Sequence, residues 1–356
     1  MSDPTRRCPD CDADAGLTPA VDRRRFLQTV AASAAATALP AVWATPRAVA
    51  APKPTSAAET VVKGLFDSLT PDQKSKVCFA WDHKDPKRGL LRTFVSNNWE
   101  ITDHMIRSDF YTQKQQHLIH DIYKALLNPE WLDRFAKQTY DDSGKQPWGA
   151  KQSIAIFGDP GTDKFEMVLT GRHMTLRADG NTGEHVAFGG PIFYGHAAQG
   201  FNEKKDHPGN VFWPQALAAN RVYQMLDGKQ RTKALVKDRP HEADVGFRGG
   251  KAGFAGLSVT DMTADQKVEL QKVLAMLVEP FRVEDRDEAL DCLKTQGGLD
   301  RCVLTFYEDG DIGEDGVWDN WRLEGPSFVW YFRGEPHVHV WVNIADDPSM
   351  PLNAKG

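Results

Sequence analysis

The sequence predicts an α+β fold in which one unit, helices first and antiparallel strands after, is written twice. Apolar residues recur at helical period after Thr112 and again after Thr263, and both stretches run on into segments rich in β-formers. The same capping signal, Thr followed three residues later by Gln, opens both stretches. Matched positions also keep step along the chain. Gln73 pairs with Gln230, Thr112–Pro129 with Thr263–Pro280, Gly171 with Gly325, and Gly183-Glu184 with Gly334-Glu335, each 151 to 157 residues apart.

This pattern divides the 356 residues into a leader over 1–50, a first α+β unit over 51–197, a connecting segment over 198–218 and a second unit over 219–356. The halves are expected to be related by a pseudo-twofold, either joined through one sheet or packed as two domains. At 41% hydrophobic residues the chain has ample core material. A net charge of −6 without a block of Lys and Arg argues against nucleic acid as a partner. Five Cys are too few for a disulfide framework.

In chain order, Arg23-Arg24-Arg25-Phe26-Leu27 precedes an Ala-rich apolar run from Thr29 to Val42, and Ala48-Val49-Ala50 offers a small-x-small cleavage site. This resembles a twin-arginine signal, which implies the Tat export machinery as a partner and a periplasmic or secreted product. The run of about 14 residues is short of the roughly 20 that span a bilayer, so no stable membrane anchor is expected. Cleavage would remove Cys8 and Cys11, the one Cys-x-x-Cys, and leave Cys78, Cys292 and Cys302. Of these, Cys292 and Cys302 could close a short loop as a disulfide.

Thr70-Pro71-Asp72-Gln73 places Thr at an N-cap, Pro at the first helical position and Gln at the third. Ile119, Ile122, Tyr123 and Leu126 form one apolar helix side, and Leu270, Val273, Leu274 and Leu277 another. Strand-like runs follow at Ser153–Phe157, Phe165–Leu176 and Val186–Tyr194, then at Val303–Tyr307, Trp318–Leu323, Ser327–Phe332 and Val338–Ile344. The Gly-rich stretch Gly246–Gly256 reads as a mobile surface loop, with no Gly-Lys-Ser/Thr to make it a phosphate loop. There is no Gly-x-Ser-x-Gly, no His-Glu-x-x-His, and no Cys-x-x-Cys-His.

Four segments carry a resemblance: Thr-Gly-Arg-His-Met-Thr-Leu (170–176), Phe-Gly-Gly-Pro-Ile-Phe-Tyr-Gly-His (188–196), Arg-Leu-Glu-Gly-Pro-Ser-Phe (322–328) and His-Val-His-Val-Trp (337–341). Together they resemble an exported bacterial family, domain of unknown function 3500 (DUF3500), from about Val62 to Asn343. The family often has Gly-His-His where this chain has Gly171-Arg172-His173, and Arg-Asp where this chain has Val342-Asn343. The resemblance implies secretion and a shared fold and brings no established activity.

The histidines are the constellation with chemistry in it. His337 and His339, two apart in a strand, point to one sheet face roughly 6–7 Å apart, close enough to share a metal ion. The model that follows has His173, His196, His337 and His339 converging near the pseudo-twofold on a transition metal, copper or zinc, with Glu324 as ligand or general base. His117 and His120, on the helix after Thr112, read as solvated polar residues. Two readings stay open. One is an exported metalloprotein with oxidative or hydrolytic activity on an unidentified small molecule. The other is a non-catalytic periplasmic ligand-binding or structural protein.

Overall fold

The computed structural model describes residues 51–180, 186–197, 207, 209–251, 253–313 and 315–350. The leader and the Gly183-Glu184 match lie outside the described residues.

Among the described residues four helices open with a capping box. Thr70 caps α2 (Pro71–Val77), after α1 (Ala57–Ser68), and Thr112 caps α3 (Gln113–Ala125). Beyond α4 (Leu132–Asp142) and α5 (Trp213–Met225), Asp227 caps α6 (Gly228–Ala234) and Thr263 caps α7 (Ala264–Val278), with α8 (Val283–Thr295) last. The Gln residues at the third helical position also reach between helices. Gln73 Nε2 donates to Gln115 Oε1 at 2.9 Å, and Gln115 Nε2 donates to the Ser68 carbonyl. In the second half Gln230 Nε2 donates to Gln266 Oε1 at 2.9 Å, and Gln266 Nε2 donates to the Met225 carbonyl. Helix α5 reaches back to Trp213, into the segment expected to connect the halves, because Trp213, Ala216 and Ala218 bury an apolar side in the core.

The strands of both halves form one 11-stranded sheet. The strands are β1 (Cys78–Phe79), β4 (Ser153–Gly158), β5 (Phe165–Gly171), β6 (Met174–Ala178), β7 (Ile192–His196), β8 (Leu235–Val236), β9 (Leu257–Ser258), β10 (Val303–Tyr307), β11 (Asn320–Gly325), β12 (Phe328–Arg333) and β13 (Val338–Ile344). Their order is β1-β4-β5-β6-β7-β13-β12-β11-β10-β8, with β9 also on β10, and β2 (Lys84–Asp85) with β3 (Gly89–Leu90) form a separate hairpin. The order reads alike from either end: a short parallel edge strand, then four antiparallel ones, meeting at the antiparallel pair β7·β13. Helices on one side of a mostly antiparallel sheet make this an α+β fold.

Both faces of the sheet are covered. Val338, Val340, Val342 and Ile344 of β13 join the large core shared with the helices. Phe193, Val329, Tyr331 and Trp341 point the other way, under Val95, Ala243 and Val245 from irregular segments. The stretch expected as a mobile loop begins in that cover: Asn343 Nδ2 donates to the Val245 carbonyl and the Gly249 amide to the Pro326 carbonyl. At Gly256 (φ 113°) a Cβ would stand 2.2 Å from Thr305 Oγ1, so the Gly serves close packing on β10. Cys292 and Cys302 are not bridged, so the short disulfide loop is not formed.

Candidate metal centre

The centre lies at one end of the sheet's midline, where β7 stops and β13 begins. Alternation along the strand puts His337 and His339 on the loop-covered face and Val338 on the helix face. The run expected as one strand over Phe165–Leu176 folds back at Arg172-His173 to give β5 and β6. His173 therefore sits in a turn, at φ 54°. A non-glycine residue in that region costs about 1–2 kcal/mol. Two contacts hold it there: its amide donates to the Asn97 carbonyl at 2.8 Å, and Gln138 Nε2 donates to its carbonyl at 3.3 Å.

The three rings converge through one atom each. His337 Nε2 lies 3.2 Å from His173 Nε2 and 2.9 Å from His339 Nε2, and His339 Nε2 lies 3.0 Å from His173 Nε2. All three residues are 0% exposed. Among the described residues no fourth His, Cys, Asp or Glu joins the group, which can hold a metal ion.

Carboxylates stand behind two of the rings. Asp142 Oδ1 is 3.0 Å from His173 Nδ1, and Glu242 Oε2 is 2.7 Å from His339 Nδ1. A carboxylate at Nδ1 keeps the proton on that nitrogen and leaves Nε2 with a bare lone pair. Burial lowers the pKa of all three imidazoles. His337 is held down further by His339 and His173, and His339 by Arg333, so the neutral form is favoured. Burial alone would raise Asp142, but His173 holds it below the usual carboxylate range. Asp141 and Asp142 close α4, the end of a helix where the dipole disfavours an anion by about 0.3–1 kcal/mol. The two histidines they face, His196 and His173, account for their placement.

With both Nδ1 atoms protonated, the His173 and His339 Nε2 atoms face each other at 3.0 Å with no hydrogen between them. A proton on His337 Nε2 cannot relieve that contact. A cation can. Nitrogens about 3.0 Å apart around an ion at roughly 2.0–2.1 Å subtend about 95° at the metal, which puts all three ligands on one side and leaves the other open.

His196 does not join the other three. It pairs across β7·β13 with Val338, so its side chain lies on the helix face, where Nε2 meets Asp141 Oδ2 at 3.1 Å. Its neighbour Gly195 is opposite His339, and a Cβ there would stand 2.3 Å from the Val338 carbonyl oxygen. Glu324 is also elsewhere. It lies on β11, two strands away, where it accepts from Arg248 Nε and Arg322 Nη2 at 2.8 Å each. His117 is exposed as expected, whereas His120 is half-buried against Trp148, ring centroids 4.6 Å apart.

Glu242, Asp142 and Asn97 were not visible as site residues in the sequence. Glu242 comes from an irregular segment with no periodicity to place it. The Asp141-Asp142 pair at a helix end was the one local signal. Asn97 links the two arms, its carbonyl accepting from the His173 amide and its Nδ2 donating to Glu242 Oε1 at 3.1 Å.

The family model for a protein of unknown function, DUF3500, matches residues 51–343. The chain belongs to the DUF3500 family. The match runs from before α1 to Asn343 in β13, so in this DUF3500 chain it takes in all three converging histidines and both carboxylates. No curated protein and no solved structure matches the chain. No helix among the described residues is long and apolar enough to cross a membrane.

Proposed function

We propose that this protein is an exported metalloprotein in which His173, His337 and His339 hold a copper or zinc ion for oxidative or hydrolytic chemistry on a small molecule. The observation that carries the reading is the 3.0 Å approach of two imidazole nitrogens, with Asp142 and Glu242 standing at the opposite ring atoms. Three neutral nitrogen donors without a thiolate suit zinc, copper, iron and nickel. Structural zinc sites close with four protein ligands, whereas catalytic ones keep a position for water or substrate, and three histidines on one side of the ion fit the second pattern.

Export rests on Arg23-Arg24-Arg25 and the apolar run behind them. Metal analysis of untagged protein tests the centre: close to one equivalent of copper or zinc is expected, lost in the H337A/H339A double variant. A native protein with far less than one equivalent, or a double variant that keeps its metal, would sink the reading. Export is tested separately by changing Arg23 and Arg24 to Lys, which should retain the precursor in the cytoplasm.

A further inference from the structure

The charges around the three histidines do not balance once a metal is present. The imidazoles are neutral ligands, Asp142 and Glu242 each contribute one negative charge, and a divalent ion offsets both. That leaves Arg333. It stands directly across β12·β13 from His339, so its side chain rises from the same face, and the residue is 6% exposed. Its Nε is 3.1 Å from Glu242 Oε2, the oxygen that also meets His339 Nδ1. Its Nη2 is buried with no hydrogen-bond partner among the described residues. Arg172, next to His173 in the chain, adds to the positive side and acts, like Arg333, on both His337 and His339.

A buried site with surplus positive charge and a guanidinium N–H lacking an acceptor is costly unless a ligand supplies both the charge and the acceptor. The protein's own carboxylates are already engaged at Nδ1 positions. We propose that the open side of the centre takes a small carboxylate, bound through oxygen to the metal and positioned by Arg333. An anion answers the positive charge left over, and a planar guanidinium is suited to carboxylate oxygens. A neutral amide of the same shape leaves the charge uncompensated and, with its carbonyl oxygen on the metal, turns N–H groups rather than an acceptor toward Nη2.

This rests on the metal reading above, and the test separates the two. Protein loaded with Cu(II) is titrated with acetate and, in parallel, with acetamide, and followed by electron paramagnetic resonance and visible absorption. Acetate should saturate and shift the spectrum, and acetamide should leave it unchanged over the same range. R333Q should keep its copper stoichiometry and bind acetate at least roughly tenfold more weakly, the loss of one charge-assisted hydrogen bond, with R333K intermediate. If R333Q does not fold, the acetate–acetamide comparison on the native protein decides. A protein that takes up no metal overturns both readings. A copper-loaded centre indifferent to acetate, equally responsive to acetamide, or unchanged in R333Q overturns this one and leaves the metal centre standing.

Discussion

Asp142 and Glu242 touch only the Nδ1 side of their histidines, yet each decides which nitrogen carries the lone pair. Changing Asp142 to Asn, or Glu242 to Gln, should weaken metal binding by roughly 10–100-fold without abolishing it, read by competition with a chelator of known affinity. Wild-type affinity in both variants would show that the tautomers are set elsewhere. The same histidines give the metal-free protein a pH dependence. Burial depresses their folded-state pKa below the ordinary value near 6.5, so between the two values the unfolded chain binds more protons than the folded one. Their contribution is full above about pH 6.5 and declines as the pH falls toward the folded-state values. The melting temperature of metal-free protein should fall on acidification from pH 7 to pH 5, and fall less steeply in H337A/H339A; equal slopes would refute this. His337 and His339 were legible because strand alternation is a local rule. His196 misled because the rule needs a register: pairing with Val338 turns it to the other face, and nothing local states which residue lies opposite.

At the scale of elements, what the sequence displayed was the helix starts. Thr70, Thr112 and Thr263 cap as their spacing predicts, and Asp227 does the same work with a carboxylate in place of the hydroxyl. The function of the paired Gln residues was not legible, since Gln73–Gln115 and Gln230–Gln266 meet only when two helices are packed. A second inter-element tie is buried deeper. Arg282, just before α8, grips Glu59 of α1 with two bonds of 2.9 and 2.8 Å, and Glu59 is 0% exposed. Removing one member of such a pair strands the other charge, so R282A should cost about 3–5 kcal/mol in chemical denaturation. A loss under 1 kcal/mol would mean that Glu59 finds water or another partner. The hairpin turn at Arg172-His173 was unreadable for a different reason: a histidine occupies the left-handed position where Gly or Asn would have marked it.

At the scale of the molecule, the halves share a sheet and a core, and its midline is locked by side chains from both. Trp330 Nε1 donates to Tyr194 Oη at 3.2 Å, and Tyr194 Oη donates to Gln215 Oε1 at 2.8 Å. One calorimetric transition is therefore expected, its midpoint raised by added metal. Two separated transitions would show that the halves unfold independently. The sequence left open whether its two sets of strands join or pack as domains, because edge pairing between distant strands leaves no periodic trace.

The place of β13 has a consequence for synthesis. Among the described residues the last strand in the chain is not at an edge but in the middle, between β7 and β12, and it brings two of the three histidines with it. A nascent chain stopped at Arg333 has β1 to β12 in hand, yet its two sets of strands lie unjoined with apolar edges exposed. Neither the sheet nor the centre can close until β13 has left the ribosome. Loss of β13 with His337 before it is thus a loss of the whole fold, and a chain that reaches a compact, protease-resistant form has already brought its histidines together.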